Sequence, residues 1–368
     1  MSRMKIAAAV GAGLLGLPLV GGLAVYGWAS MAANAKMDTT YELHRVEFAV
    51  PFALADAEVA QLRAEKEALR KAAAPGVALA SILSPADTAA AAALDAAQVA
   101  DPAPDVLAGV DLNAIATERA VARGKHLVEA RYACGECHGQ NFGGGTMVDD
   151  PMIGRLLGPN LTLGKGSKTL DYKASDWDRL VRHGVKPSGH PTPMPSKDFF
   201  AMSDRELSDI ISYIRSLPPV DNEQPPVSFG PLGTVLLATG NIELSADVHP
   251  THHAGDHLVE PPAEAADATF GGHITKACTG CHRADFSGGP IMGGPPDWPP
   301  AANLTQANLG SWKFEDFKAA LREGKKPDGT ELKSPMKEVR KMADNMSDTE
   351  LQAMWAYLQT VPAAETGK

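Results

Sequence analysis

Positive charge is in short supply: 34 Lys and Arg stand against 44 Asp and Glu in 368 residues, a formal net charge of −10. A chain with this balance lacks the electrostatic footprint of a nucleic-acid binder and is suited to docking on basic surfaces instead. Cysteine is scarcer still. There are four, all inside two pentads, Cys134-Gly-Glu-Cys137-His138 and Cys278-Thr-Gly-Cys281-His282. With none left over, the sequence has no paired halves close together for a four-ligand zinc site and no β-α-β context for a redox dithiol. A phosphate-binding glycine loop and a nucleophile beside a base are also missing, so no catalytic constellation is present.

What is present is the C-x-x-C-H pattern twice, 144 residues apart. This is the attachment signal for c-type haem. Two thiols so spaced add to the two vinyl groups of one porphyrin, and the adjacent histidine then falls under the iron as its proximal ligand. The expectation is two covalently bound haem c groups, one on Cys134, Cys137 and His138, the other on Cys278, Cys281 and His282.

The two pentads head one repeat. Phe142 and Gly144-Gly145 match Phe286 and Gly288-Gly289, Asn160-Leu161-Thr162 matches Asn303-Leu304-Thr305, and Lys186-Pro187 matches Lys326-Pro327. Met202-Ser-Asp-Arg-Glu-Leu207 and Tyr213 match Met346-Ser-Asp-Thr-Glu-Leu351 and Tyr357. Self-similarity at so long a period means duplicated domains rather than a solenoid. Each copy reads as helical. Thr117 to Ala133 has helical apolar spacing, Ser203-Asp-Arg-Glu206 and Ser347-Asp-Thr-Glu350 are capping boxes, and Pro218 and Pro362 end the helices those boxes open. Short helices are expected at Ala174 to His183 and Lys313 to Glu323. Gly124 suits a close helix crossing in the first copy. The second has no glycine at the matching position and breaks up as Phe270-Gly271-Gly272, which predicts a shorter first helix.

Each copy resembles a class I cytochrome c domain, and residues 117 to 362 together resemble diheme c-type cytochromes. In that family the distal iron ligand is a methionine beside proline, ahead of the last helix. The resemblance thus implies Met194, within Pro193-Met194-Pro195, and Met336, within Pro335-Met336-Lys337, as distal ligands. Met194 lies eight residues before Met202 but Met336 ten before Met346, so Met342 competes for the second role. His190 is the alternative to Met194, with a surface role preferred. Met202 and Met346 are read as packing residues. The metal ligands expected are therefore His138, Met194, His282 and Met336. Thioether ligation raises the reduction potential and, with histidine opposite, closes both axial positions, which favours electron transfer over enzymatic haem chemistry.

From Ile6 to Ala33 the chain carries no charge, and about 20 apolar residues span a bilayer. With Arg3 and Lys5 in front, the expectation is a single-pass N-terminal anchor in a bacterial inner membrane, with the haem domains in the periplasm. Next comes a spacer with an amphipathic helix at Asp56 to Ala73 and an Ala- and Pro-rich tract from Pro75 to Pro104. The apolar stretch Phe229 to Leu244 is expected to pack between the haem domains. His249, His252, His253 and His257 follow it and are read as solvated linker.

The fold expected is all-α: a transmembrane helix in 1–35, a partly helical spacer in 36–116, cytochrome c domains at 117–222 and 265–368, and a linker at 223–264. The function expected is a diheme electron carrier between a quinol-oxidising complex or dehydrogenase and an oxidase or soluble cytochrome, catalysing nothing by itself. The alternatives are a dedicated cytochrome subunit of one membrane-bound dehydrogenase complex, or a diheme enzyme such as a peroxidase. The partners expected are a membrane and redox proteins, not nucleic acid.

Overall fold

The computed structural model describes residues 22–42, 46–73, 105–248, 257–291, 294 and 297–367. These form two compact units. The smaller, Phe52–Arg119, carries the helix Asp56–Ala73 at the span expected, buries Leu62, Leu107 and Ala116, and is tied by ion pairs Arg63 to Asp105 and Arg119 to Glu58. The Ala- and Pro-rich tract lies outside the described residues. The larger unit holds both pentads.

Within the larger unit each repeat closes the same way. The capping boxes form: Ser203 Oγ accepts from Glu206 N and Ser347 Oγ from Glu350 N, opening the closing helices Asp204–Ser216 and Asp348–Leu358. Helices Ala174–His183 and Phe314–Glu323 end on Gly184 and Gly324, whose positive φ values of 71° and 73° suit the left-handed turn that stops a helix. The leading helices differ. Leu112–His126 has 15 residues and continues into a π turn, Leu127–Arg131, whereas Ala268–Ile274 has seven and continues into a 3₁₀ turn, Thr275–Cys278.

Both leading helices nevertheless cross their closing helix at a glycine. A Cβ on Gly124 would lie 2.0 Å from the Asp209 carbonyl oxygen and 2.8 Å from Tyr213 Cβ; one on Gly271 would lie 1.8 Å from the Ala353 oxygen and 3.0 Å from Tyr357 Cβ. Asp209 and Ala353, like Tyr213 and Tyr357, are equivalent in the two repeats. The second repeat thus has its crossing glycine after all, displaced along the chain by three residues relative to the pentad.

The all-α expectation is corrected by a small antiparallel sheet in the order β1 (Gly145–Asp150), β2 (Gly154–Gly158), β3 (Ser228–Phe229). Asp150 Oδ1 accepts from Met152 N at 2.7 Å and Ile153 N at 2.8 Å, which turns β1 into β2. Gly154, at φ 120°, then lets β3 approach, since a Cβ there would meet the Ser228 carbonyl oxygen at 2.2 Å. β1 and β2 form a hairpin inside the first repeat, and β3 comes from the stretch read as linker.

The membrane anchor and the inner-membrane location are corrected as well. Among the described residues no helix is long and apolar enough to cross a membrane. Of the uncharged run, residues 6–21 lie outside the described residues; the rest opens a helix over 22–38 that runs on through Lys36 and Asp38. Part of its apolar face is spent on protein. Ala33 is buried with Leu237 and Leu244, and Met37, Phe229 and Ile242 close around them. Part of the apolar stretch of the linker therefore covers this helix.

Candidate haem sites

Each pentad sits on one short helical turn, Cys134–His138 and Thr279–His282 with Cys278 as its cap. Glycines let the first be wrapped closely: a Cβ on Gly145 or Gly158 would come within 2.4 Å or 2.1 Å of the Cys137 carbonyl oxygen. Burial, with the neighbouring thiol's charge second, pushes Cys134 and Cys278 up to about 12. Burial pushes Cys137 and Cys281 upward too. Burial thus favours the neutral thiol at both pentads.

The histidines are oriented alike. His138 Nδ1 donates to the Pro159 carbonyl at 3.0 Å, and His282 Nδ1 to the Ala302 carbonyl at 2.8 Å. The proton is thereby held on Nδ1 and the lone pair of Nε2 is left for a metal, the arrangement typical of a ligating imidazole. Burial also lowers both pKa values, keeping the rings neutral. The carbonyls are in turn fixed by the next residue. Asn160 Oδ1 accepts from Thr162 N at 3.0 Å while its amide donates to the Val220 carbonyl at 2.7 Å; Asn303 Oδ1 accepts from Thr305 N and its amide donates to Ala364 O, both at 2.8 Å. This is the backbone role expected for the two asparagines. The donor set, thiol pair plus a pre-oriented neutral imidazole, fits a covalent haem at each pentad.

The methionines divide. Met202 and Met346 are buried in the two cores, in line with a packing role. Met336 packs, with Cys278, against the second core. Met342 lines a cleft with Val128, Ala133, Gly135 and Glu136 of the first repeat. Met194 is half-buried and lies outside both core clusters; its carbonyl accepts from Ser196 N at 2.8 Å and from Ser245 Oγ at 3.1 Å. His190 is exposed, its Nδ1 3.4 Å from the Thr39 carbonyl oxygen.

The repeats are locked face to face by residues that the sequence did not single out for this. Glu206 and Glu350, the capping-box acids, exchange partners. His273 of the second repeat bonds Glu206 Oε2 at 2.8 Å, and His126 of the first bonds Glu350 Oε1 at 2.9 Å. Arg131 joins both, donating to Glu350 at 2.6 Å and Glu206 at 3.2 Å. Burial pushes the Glu350 carboxyl upward, but the hydrogen bond from His126, the charge of Arg131 and the backbone N–H of Ser347 together hold it at about 2. The capping boxes were legible as local signals; their second use, across the interface, has no local signal.

Docking is also reciprocal around the pentads. The turn Ser196–Phe199, just after Met194, packs on Thr275–Cys278, and a Cβ on Gly280 would meet Asp198 Oδ1 at 2.2 Å. Helix Arg340–Asn345, just after Met336, packs on Leu127–Arg131, and Lys341 reaches Glu136 inside the first pentad at 3.3 Å. Each repeat thus braces the other's haem-attachment segment.

A family model described as cytochrome c matches residues 121–218 and 271–362, together half of the chain. Among curated relatives, the fructose dehydrogenase cytochrome subunit of Gluconobacter japonicus is 24% identical over 296 residues, 72% of this chain and 59% of that protein. The gluconate 2-dehydrogenase cytochrome c subunit of Pantoea cypripedii is 27% identical over 292 residues, 72% of this chain and 65% of that one. A diheme cytochrome c-type from Cereibacter sphaeroides is 26% identical over 248 residues, 63% of this chain and 80% of that one. The chain therefore spans less than two thirds of the length of the two dehydrogenase subunits.

Proposed function

The chain belongs to the cytochrome c family, and from that premise we propose that it is a two-haem electron carrier acting as the cytochrome subunit of a dehydrogenase. The names of the related subunits favour a sugar- or sugar-acid-oxidising partner as the electron source over a quinol-oxidising complex. The observation that carries the reading is the reciprocal bracing of the two pentads, which suits passage of charge between two sites held in one body.

In this reading residues 117–222 and 265–368 are the two haem domains. Haem supplies the one-electron chemistry when bound; the chain supplies attachment, orientation and insulation. Cys134 with Cys137, and Cys278 with Cys281, anchor the porphyrins. His138 and His282 are the proximal ligands, aimed by the Pro159 and Ala302 carbonyls. Met194 and Met336 are the distal ligands. Packing on the second core supports Met336 over Met342, which borders the first repeat's cleft.

Two measurements test this. The intact mass should exceed the polypeptide's by two haems, and the near-infrared thioether-to-iron band should show two contributions, one lost in Met194→Ala and the other in Met336→Ala. Loss in Met342→Ala instead would transfer the second role. For the partner, a dehydrogenase subunit should copurify in fixed ratio, and its substrate should reduce both haems. Reduction by quinol complexes alone would overturn the dehydrogenase assignment.

A further inference from the structure

We propose that Asp178, His183 and His257 form a binding site for a divalent metal ion of the zinc class, which clamps the stretch between the repeats onto the first repeat. The site rests on its own geometry and is independent of the electron-transfer reading.

Asp178 and His183 come from the last turns of helix Ala174–His183 and are fully buried. His183 Nε2 lies 3.9 Å from Asp178 Oδ1, and His257 Nε2 lies 2.9 Å from His183 Nε2. All three ligand atoms fall within 4.8 Å of one another. Donors about 2 Å from a tetrahedral zinc lie about 3.3 Å apart, so changes in separation of about 1.5 Å or less would place all three on one ion. Two imidazoles and a carboxylate with a fourth position open is a donor set zinc accepts readily.

Charge permits it. Arg182 is held between two carboxylates, donating to Asp178 at 2.6 Å and Asp204 at 2.8 Å, so the fixed charges sum to a net negative one beside the histidines. His257 is also presented by ordered backbone. The carbonyls of Leu258 and Val259 accept from Asp204 N at 2.9 Å and Arg205 N at 3.0 Å, and Arg205 clasps Glu260 at 2.8 Å. The Phe200 ring walls the pair, 5.4 Å from the His183 ring and 4.8 Å from that of His257. A cleft lined by Phe200, Ala201, His257 and Leu258 gives an ion a way in.

The second repeat is an internal control. It keeps the arginine: Arg322 donates to the Met346 carbonyl at 2.8 Å and pairs with Asp348 at 2.9 Å, just as Arg182 donates to the Met202 carbonyl at 3.0 Å and pairs with Asp204. At the positions of Asp178 and His183 it has Lys318 and Glu323. The fold's own requirement is met without the acid and the imidazole. Those two are additions of the first repeat, on the side where the connecting stretch brings a second imidazole.

The test uses the intact haem-loaded protein, stripped with a chelator and titrated with zinc chloride. One zinc should be retained per two irons by mass spectrometry of the metals, and the zinc-edge absorption spectrum should show a nitrogen and oxygen shell with imidazole scattering. His257→Gln should weaken zinc binding by about a hundredfold or more with haem absorbance and circular dichroism unchanged, given that outer partners of metal ligands are worth 10–100-fold. His183→Gln should do the same; if it does not fold, His257→Gln decides alone. Zinc absent at stoichiometric addition, affinity unchanged in His257→Gln, or sulfur in the zinc shell would each overturn the site and leave the two rings as a simple hydrogen-bonded pair.

Discussion

The first repeat fits nine residues between its crossing glycine, Gly124, and its first cysteine, Cys134, and the second fits six, between Gly271 and Cys278. Both nonetheless deliver the glycine to the same place on the closing helix and the pentad to the same place beneath the Asn-Leu-Thr loop. The first repeat absorbs its surplus in a wide π turn, the second closes its shortfall with a tight 3₁₀ turn. The comparison teaches that the constraint lies at the ends of the segment, where backbone meets backbone, and that the helix type between them is adjusted to suit.

The sharpest way to break that equivalence is to fill the crossings. Gly124→Val and Gly271→Val each push a side chain into a carbonyl that cannot move aside, and each should cost more than the ~3 kcal/mol of ordinary overpacking. Thermal unfolding of the haem-loaded protein measures it. A loss confined to one of the two would mean the crossings are not equivalent.

Next in size is the exchange of acids. Glu350→Ala removes the nearer partner of buried Arg131 and should cost about 3–5 kcal/mol, as expected when one half of a buried pair is deleted. Glu206→Ala should cost less, because its contact with Arg131 is the longer one. Denaturant titration ranks the two, and the reverse order would break the argument.

Acid sharpens the same point. Glu350 sits at about 2 in the folded chain against an ordinary 4.5, so its contribution is present above pH 4.5 and is lost as pH falls toward 2. The loss amounts to about 3 kcal/mol at about 1.4 kcal/mol per pKa unit. Stability measured between pH 5 and 2 should fall less steeply in Glu350→Gln.

The smallest effect belongs to Lys341 and Glu136, an exposed pair that meets across the repeats. Lys341→Ala should change stability by at most about 1 kcal/mol. A larger change would show that the cleft there bears more of the interface than its exposure suggests.

The parts of this molecule that could be read from the sequence are those fixed by local chemistry. The pentads, the capping boxes at Ser203 and Ser347, and the helices ending at Gly184 and Gly324 all depend on residues within a few positions. Where partners come from far along the chain the reading falls short. β3 is borrowed from the connecting stretch, and the β1–β2 hairpin it joins is short and rich in glycine. Gly271 was set aside because it sits three places off the aligned position, a displacement only the π turn explains. The uncharged run near the start was assigned to a membrane on composition alone, whereas Ala33 is covered by Leu237 and Leu244 more than 200 residues away. His126 and His273 gave no sign of their reach, since a histidine on a helix looks the same whether it faces water or another domain's carboxylate.

The carbonyl that steadies His282 is itself tethered, through Asn303, to Ala364 and Thr366, beyond the closing helix of the second repeat. The counterpart tether for His138 runs to Val220, in the stretch between the repeats. Trimming a handful of residues beyond Val361 would therefore slacken one imidazole and spare the other. Whatever the second pentad holds would feel that change, while the first kept its setting.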